Sequence, residues 1–291
     1  MSKAKTRRIS PAIKAAIHQL VIIIFIVIWL VPIYAMVING LKSDIAVYTT
    51  PVLVPSSSPT LEPFQVVWSS LSRPLLNSLI IVLPVAFIAT FLGSMAAYFF
   101  YMLSNSFSKV SSFISNFLFS LISLATFIPY QATLIPLTKL VADMGLLNTY
   151  WGLAFAFFIF YMPTGALLMS IFITAIPPRI IEAARLDKGS DWRIFIKLVF
   201  PLSLPGFVST LIFNIIETWN NFFIPLMLTT TPNMRLIPVT VQSFTGGYAT
   251  LYNETFAAAF IASIVPLGIF IFLGRYFIKD LIALGTGGKG V

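Results

Sequence analysis

The sequence predicts an all-α, polytopic membrane protein with six transmembrane helices and both termini on the cytoplasmic side. Three observations carry this. The 291 residues are 58% hydrophobic and only 9% charged, whereas soluble domains carry about 25% charged residues. The apolar residues gather in six continuous runs, each long enough for the roughly 20 residues that a spanning helix needs. A barrel is disfavoured, because barrel strands alternate every second residue instead. Finally, 14 of the 18 Lys and Arg fall on one side of the membrane when the N-terminus is placed in the cytoplasm, the asymmetry that sets orientation. The 19 Pro and 28 Phe suit kinked and lipid-facing spans.

In chain order, a basic N-terminus (1–16) precedes a six-helix domain (17–278) and a C-terminal tail (279–291), with spans at 17–38, 75–102, 111–137, 150–174, 203–228 and 256–278. The first span follows Lys3, Lys5, Arg7, Arg8 and Lys14 but is longer than a signal-peptide core and has no small-x-small site after it, so it reads as a retained helix. Lys109, the five cations between 177 and 200, and Arg275, Lys279 and Lys289 lie inside on this topology; Lys42, Arg73, Lys139 and Arg235 lie outside. The net charge of +9 is thereby spread along a membrane rim rather than gathered on one face, which excludes a nucleic-acid reading. The outside then carries a Pro- and Ser-rich loop around Pro51–Pro63 and a polar loop from Thr229 to Glu254. Asn253-Glu254-Thr255 is a sequon in that loop, a single match to a loose pattern beside the membrane.

The one dense charge cluster lies in the cytoplasmic loop 177–200. Pro178 suits a first helical turn, Glu182 is placed early where the helix dipole favours a carboxylate, and Gly189 stands where a helix ends. This predicts a short surface helix with an apolar side of Ile180, Ile181, Ala184 and Leu186. On composition it lies on the membrane surface or against a partner protein.

Here the residues carry a resemblance. Glu182-Ala183-Ala184-Arg185-Leu186-Asp187, then Gly189, Pro201 and Pro205, resemble the Glu-Ala-Ala loop of permease subunits of bacterial and archaeal ABC importers, whose coupling helix docks into a cleft of the ATP-binding subunit. The chain departs from the pattern at Lys188, where the family has its glycine. Pro129, Pro136-Leu137, Gly145-Leu146-Leu147-Asn148-Thr149 and Trp219-Asn220-Asn221-Phe222-Phe223-Ile224-Pro225-Leu226 resemble the carbohydrate-uptake branch, in particular its maltose-type second permease subunit. Asn39-Gly40-Leu41-Lys42 adds a weaker match. The resemblance covers most of the chain from Asn77 onward. It implies a type I importer permease fold, ATPase coupling through Glu182, Ala183, Ala184, Asp187, Gly189 and Pro201, and a C-terminal ATPase contact at Gly288, Lys289 and Gly290. It further implies four kinds of partner: a second six-helix permease, an ATP-binding subunit dimer, an extracellular substrate-binding protein and membrane lipid.

Gly287-Gly288-Lys289-Gly290 lacks the Ser or Thr of a P-loop and no strand frames it, so the chain is not its own ATPase. With no Cys and a single His18, neither disulfides nor metal or cofactor sites are expected. Glu217 is the only carboxylate inside an expected span, and no His, Lys or second acid stands three or four residues away. No catalytic dyad results and no enzyme is expected. A carboxylate near the bilayer centre costs roughly 2.5 kcal/mol or more, so Glu217 should face a polar cavity or a partner. Helical spacing sets Asn214, Glu217 and Asn221 on one stripe. With Trp219, Asn220, Tyr130 and Gln131 they offer donors, acceptors and aromatic faces for a hydroxyl-rich ligand. The set lines a translocation path, clamps the second permease, or has a structural capping role. The function expected is the membrane half of an ATP-driven sugar importer; the alternative is an ion-coupled secondary transporter or channel, which calls for inverted repeats and paired intramembrane acids.

Overall fold

The computed structural model describes residues 10–105, 108–187, 189–245 and 251–285, and these are helical with no strand among them. In chain order they form α1 (Pro11–Gly40), α2 (Ala46–Thr49), α3 (Glu62–Ser104), α4 (Lys109–Ala125), α5 (Leu134–Asp143), α6 (Tyr150–Thr174), α7 (Pro178–Leu186), α8 (Asp191–Ile194), α9 (Phe200–Leu202), α10 (Leu204–Asn220), α11 (Phe223–Leu228), α12 (Ile237–Ser243) and α13 (Tyr252–Gly285). Among the described residues four helices are long and apolar enough to cross a membrane unaided, and up to six spans result when two bent pairs are each counted as one. The long helices keep Pro32, Pro74, Pro84, Pro163 and Pro266 inside them, as membrane helices tolerate where neighbours re-satisfy the freed carbonyls.

The bent pairs correct two of the expected spans. The run 111–137 is not one helix: α4 ends at Ala125, and the segment Tyr130–Asp143 leaves at 90°. Pro129 lacks an N–H, and Thr126 turns its hydroxyl back onto the Ser123 carbonyl, so the apolar run cannot continue straight. The run 203–228 is likewise interrupted. At its start Asp191–Leu202, which contains the π-helical turn Phe195–Val199, meets α10 at 80° at Ser203, whose hydroxyl donates to Val199 O at 2.8 Å. α10 then stops at Asn220, and α11 restarts at Phe223.

The chain forms two compact units. One holds the residues up to Ser69 with Phe244–Ile261. In it α1 leaves its large apolar side chains exposed from Ile13 to Val31, as a helix covered by lipid or a partner must. At the end of α1 Asn39 donates to Val52 O, and beyond it Lys42 Nζ donates to Pro51 O and Thr60 N to Leu41 O, which pins the loop. Burial pushes the Lys42 ammonium below its ordinary pKa. The amide of Asn253 is fully buried and donates to Lys42 O and Asp44 Oδ1 at 3.0 and 2.9 Å, so the folded chain does not present the sequon for glycosylation.

The other unit holds Ser70–Ser243 and the residues from Ala262 onward. α3 and α6 approach so closely that a Cβ on Gly93 would lie 2.6 Å from Gly165 C and Ala166 N, the small-residue contact by which membrane helices pack without a hydrophobic driving force. α5 closes in a Schellman turn, with Gly145 at φ 70° and Leu146 N donating to Val141 O. Asn148, also at positive φ, accepts from Thr230 N, Thr231 N and Thr231 Oγ1. Asn77 donates to the carbonyls of Asn233 and Arg235 and accepts from Tyr150. These bonds fix the loop after α11, and they place Asn77 in a structural role.

Candidate functional site

Two regions of the second unit gather the residues singled out in the sequence. The first is α7. Pro177 precedes it and Pro178 occupies its first turn, where the missing N–H costs nothing. Ile181 is 2% exposed and packs with Tyr98, Met169, Ile173, Ile194 and Phe195, and Ala184 rests on the same cluster. Glu182, Ala183, Arg185, Leu186 and Asp187 are exposed, Leu186 to 85%. The helix is closed by Gly189 N donating to Ala184 O. A Cβ at 189 would lie 2.9 Å from that oxygen, which accounts for the glycine there. Ser190 caps α8 by accepting from Arg193 N, and Arg185 pairs with Asp191 at 3.0 Å. The two side chains are 47% and 69% exposed, so the ion pair orients the turn rather than stabilising it much.

Two expectations for α7 change. Its apolar residues do not form one side: Ile181 and Ala184 face the membrane domain, whereas Ile180 and Leu186 face away. Nor is Glu182 in the first turn, which contains no acid because the helix starts at Pro178. The dipole acts within that turn, so it does not account for the glutamate. Pro201 is exposed in α9. Lys188 and the Gly288-Lys289-Gly290 contact lie outside the described residues.

The second region is a cavity of about 330 Å³ at the bend after α4, lined among others by Tyr130, Tyr161, Thr164, Phe213, Glu217 and Asn221. Breaking α10 builds its polar edge. Asn221, just past the helix, accepts from Ile224 N at 3.1 Å and so starts α11; its Nδ2 donates to Tyr161 OH at 3.2 Å, and that hydroxyl donates to Glu217 O at 3.0 Å. The Glu217 side chain itself is exposed to the cavity. Tyr130 and Phe160 meet edge to face at 5.9 Å on the opposite wall.

Of the residues expected to form the polar set, the structure thus brings together Tyr130, Glu217 and Asn221. Asn214 does not join them. It is fully buried, donates to Thr90 Oγ1 at 3.0 Å, and leaves its Oδ1 without a partner, so it ties α10 to α3 within the chain. Trp219 is 2% exposed and donates to Ala262 O, which is likewise an internal tie. Asn220 and Gln131 are exposed and do not line the cavity. The expected stripe of Asn214, Glu217 and Asn221 fails at Asn214, which is buried against Thr90 although it shares α10 with Glu217, whereas Asn221 lines the cavity from beyond the end of the helix. Sequence reasoning missed Tyr161 and Thr164, although Tyr161 and the Pro163-Thr164 pair interrupt an otherwise apolar run.

Comparison with known proteins gives a consistent picture. Residues 102–282 match the family described as the binding-protein-dependent transport system inner membrane component. The chain is 62% identical, over 98% of its length and 99% of the other's, to a glucose import system permease protein of Saccharolobus solfataricus. It is 32% identical, over 74% of its length and 70% of the other's, to an osmoprotective compounds uptake permease of Synechocystis. Among solved structures, a chain of a bacterial ABC transporter that imports the acidic polysaccharide alginate aligns with a TM-score of 0.72 at 19% identity, covering 93% of this chain and 99% of that one. That likeness bears on the fold.

Proposed function

Because the chain belongs to the family of binding-protein-dependent transport system inner membrane components, we propose that it forms half of the translocation path of a sugar importer and is driven through α7. It is a multi-pass permease subunit of an ABC importer, not an enzyme, and this membership sets aside the ion-coupled alternative. The substrate is a hexose such as glucose, following the 62% identical relative. A second six-helix permease completes the path, a substrate-binding protein delivers the sugar from outside, and a pair of ATP-binding subunits closes beneath.

The observation that carries the coupling role is the two-sidedness of α7. One residue, Ile181, is sunk in the membrane domain, while Glu182, Ala183, Arg185 and Leu186 present a charged and apolar surface that nothing in the described chain covers. A helix anchored in this way carries a push from outside into α8 and α10. The cavity at Glu217 is the natural path segment, since its wall mixes aromatic faces with an amide and a carboxylate, the groups that hold sugars.

The orientation this requires, with α7 and both termini in the cytoplasm, is tested by single cysteines in a chain that has none. An impermeant maleimide should label Ser57→Cys and Thr230→Cys from outside in intact cells, and Lys109→Cys and Leu186→Cys only after the membrane is opened. Labelling of Leu186→Cys from outside would remove both the orientation and the coupling role.

A further inference from the structure

The cavity carries an uncompensated charge. Its wall includes one carboxylate, Glu217, together with Tyr130, Tyr161, Thr126, Thr164 and Asn221 as polar groups, and no Lys, Arg or His. Among the described residues the one ion pair is Arg185 with Asp191, so Glu217 has no cationic partner there. The rest of the lining is apolar, including Phe127, Phe160, Leu167 and Phe213, and low-dielectric walls focus the field of a single charge into the space they enclose. The volume of about 330 Å³ lies within the range of small-ligand pockets, about 300–1,000 Å³.

We propose that Glu217 is a charge filter on the path, admitting neutral and amino sugars and turning away sugar acids. This rests on the reading of the cavity as part of that path. A neutral sugar donates hydroxyl protons to the carboxylate while its C–H face lies on Tyr130 or Phe160, an arrangement that uses Glu217 as an acceptor. An amino sugar gains an ion pair. A uronate brings a second anion against the same wall, whose lining holds no cation, and its local concentration falls. Fields of this kind change local concentrations by about 10-fold to 1,000-fold. The Asn221–Tyr161–Glu217 carbonyl chain fixes the backbone at the end of α10, from which the Glu217 side chain lines the cavity.

The test uses Thr164→Cys, and Leu168→Cys as a second site, in the assembled complex, with modification of this chain read by mass spectrometry. Cationic and anionic methanethiosulfonates of similar size report the field at the thiol. The cationic reagent should react faster by roughly tenfold or more, after correction for intrinsic reactivity, and adding Glu217→Gln should bring the two rates together. Glucose and glucosamine should slow modification in the wild-type background, whereas glucuronate should do so only with Glu217→Gln. A rate ratio that Glu217→Gln leaves unchanged, or no modification at either site, would overturn the filter. The path reading fails separately: it is wrong if complete modification of the Thr164→Cys thiol by a bulky maleimide leaves glucose uptake at its unmodified rate.

Discussion

Glu182→Lys is expected to abolish sugar uptake and to strip the ATP-binding subunit from the purified complex, while the permease still inserts. The carboxylate stands in the middle of α7, exposed and without a partner in the described chain. Docked against a protein cleft it loses its water, and the stable arrangement then sets a cation of the ATP-binding subunit against it. Truncating one member of such a buried pair typically costs about 2 to 5 kcal/mol, which is at least about thirtyfold in affinity, and reversing the charge costs more. If α7 merely lay on the membrane surface, the substitution would stay within about 0.5 kcal/mol, as exposed positions do. The two cases separate on the ratio of ATP-binding subunit to permease after purification, measured with uptake in the same cells. A mutant that keeps its ATPase and transports at the wild-type rate contradicts the assignment.

The opposite face of the same helix gives the second large effect. Ile181→Ala removes a side chain that is 2% exposed among Tyr98, Met169, Ile173, Ile194 and Phe195, and Ile→Ala changes in a packed core cost about 2 to 5 kcal/mol. The docking surface made by Glu182, Ala183 and Leu186 is left in place, so the ATP-binding subunit should remain bound. What weakens is the join between α7 and the membrane domain. Reconstituted complex should therefore hydrolyse ATP with little sugar transported per ATP, a loss of coupling rather than of assembly. Loss of the ATPase from this variant, or unchanged sugar transported per ATP, would show that Ile181 does not transmit the motion.

The class of protein, an all-helical membrane protein with several spans, was legible because it depends on summed hydrophobicity, which composition reports directly. The α7 helix was legible for a local reason: Pro178 sets its start and the chain tightens at Gly189. The bends were not. A continuous apolar run reads as one span, and only the hydrogen bonding around Pro129 and Ser203 decides that the chain turns by 90° and 80°. The candidate path was half legible. Glu217 is conspicuous as a lone acid, and Asn221 as a polar intrusion, but Asn214 looks the same in sequence and is consumed by Thr90, a residue 124 positions away. Helical periodicity placed these three on one stripe, but Asn214 turns to α3 within the same helix that carries Glu217, and the break after Asn220 takes Asn221 out of the periodicity altogether. The inward turn of Ile181 and the outward turn of Leu186 depend on what α7 packs against, which its own nine residues do not encode.

The central claim, that the outer face of α7 is the seat of the ATP-binding subunit, is tested most directly by photo-cross-linking. A benzophenone maleimide is attached to Leu186→Cys in the otherwise cysteine-free chain, within the assembled transport-competent complex, with Ser57→Cys as the outside control. The account predicts an adduct between permease and ATP-binding subunit from position 186 and none from position 57. A complex that still transports sugar but yields only lipid adducts from position 186 would contradict it.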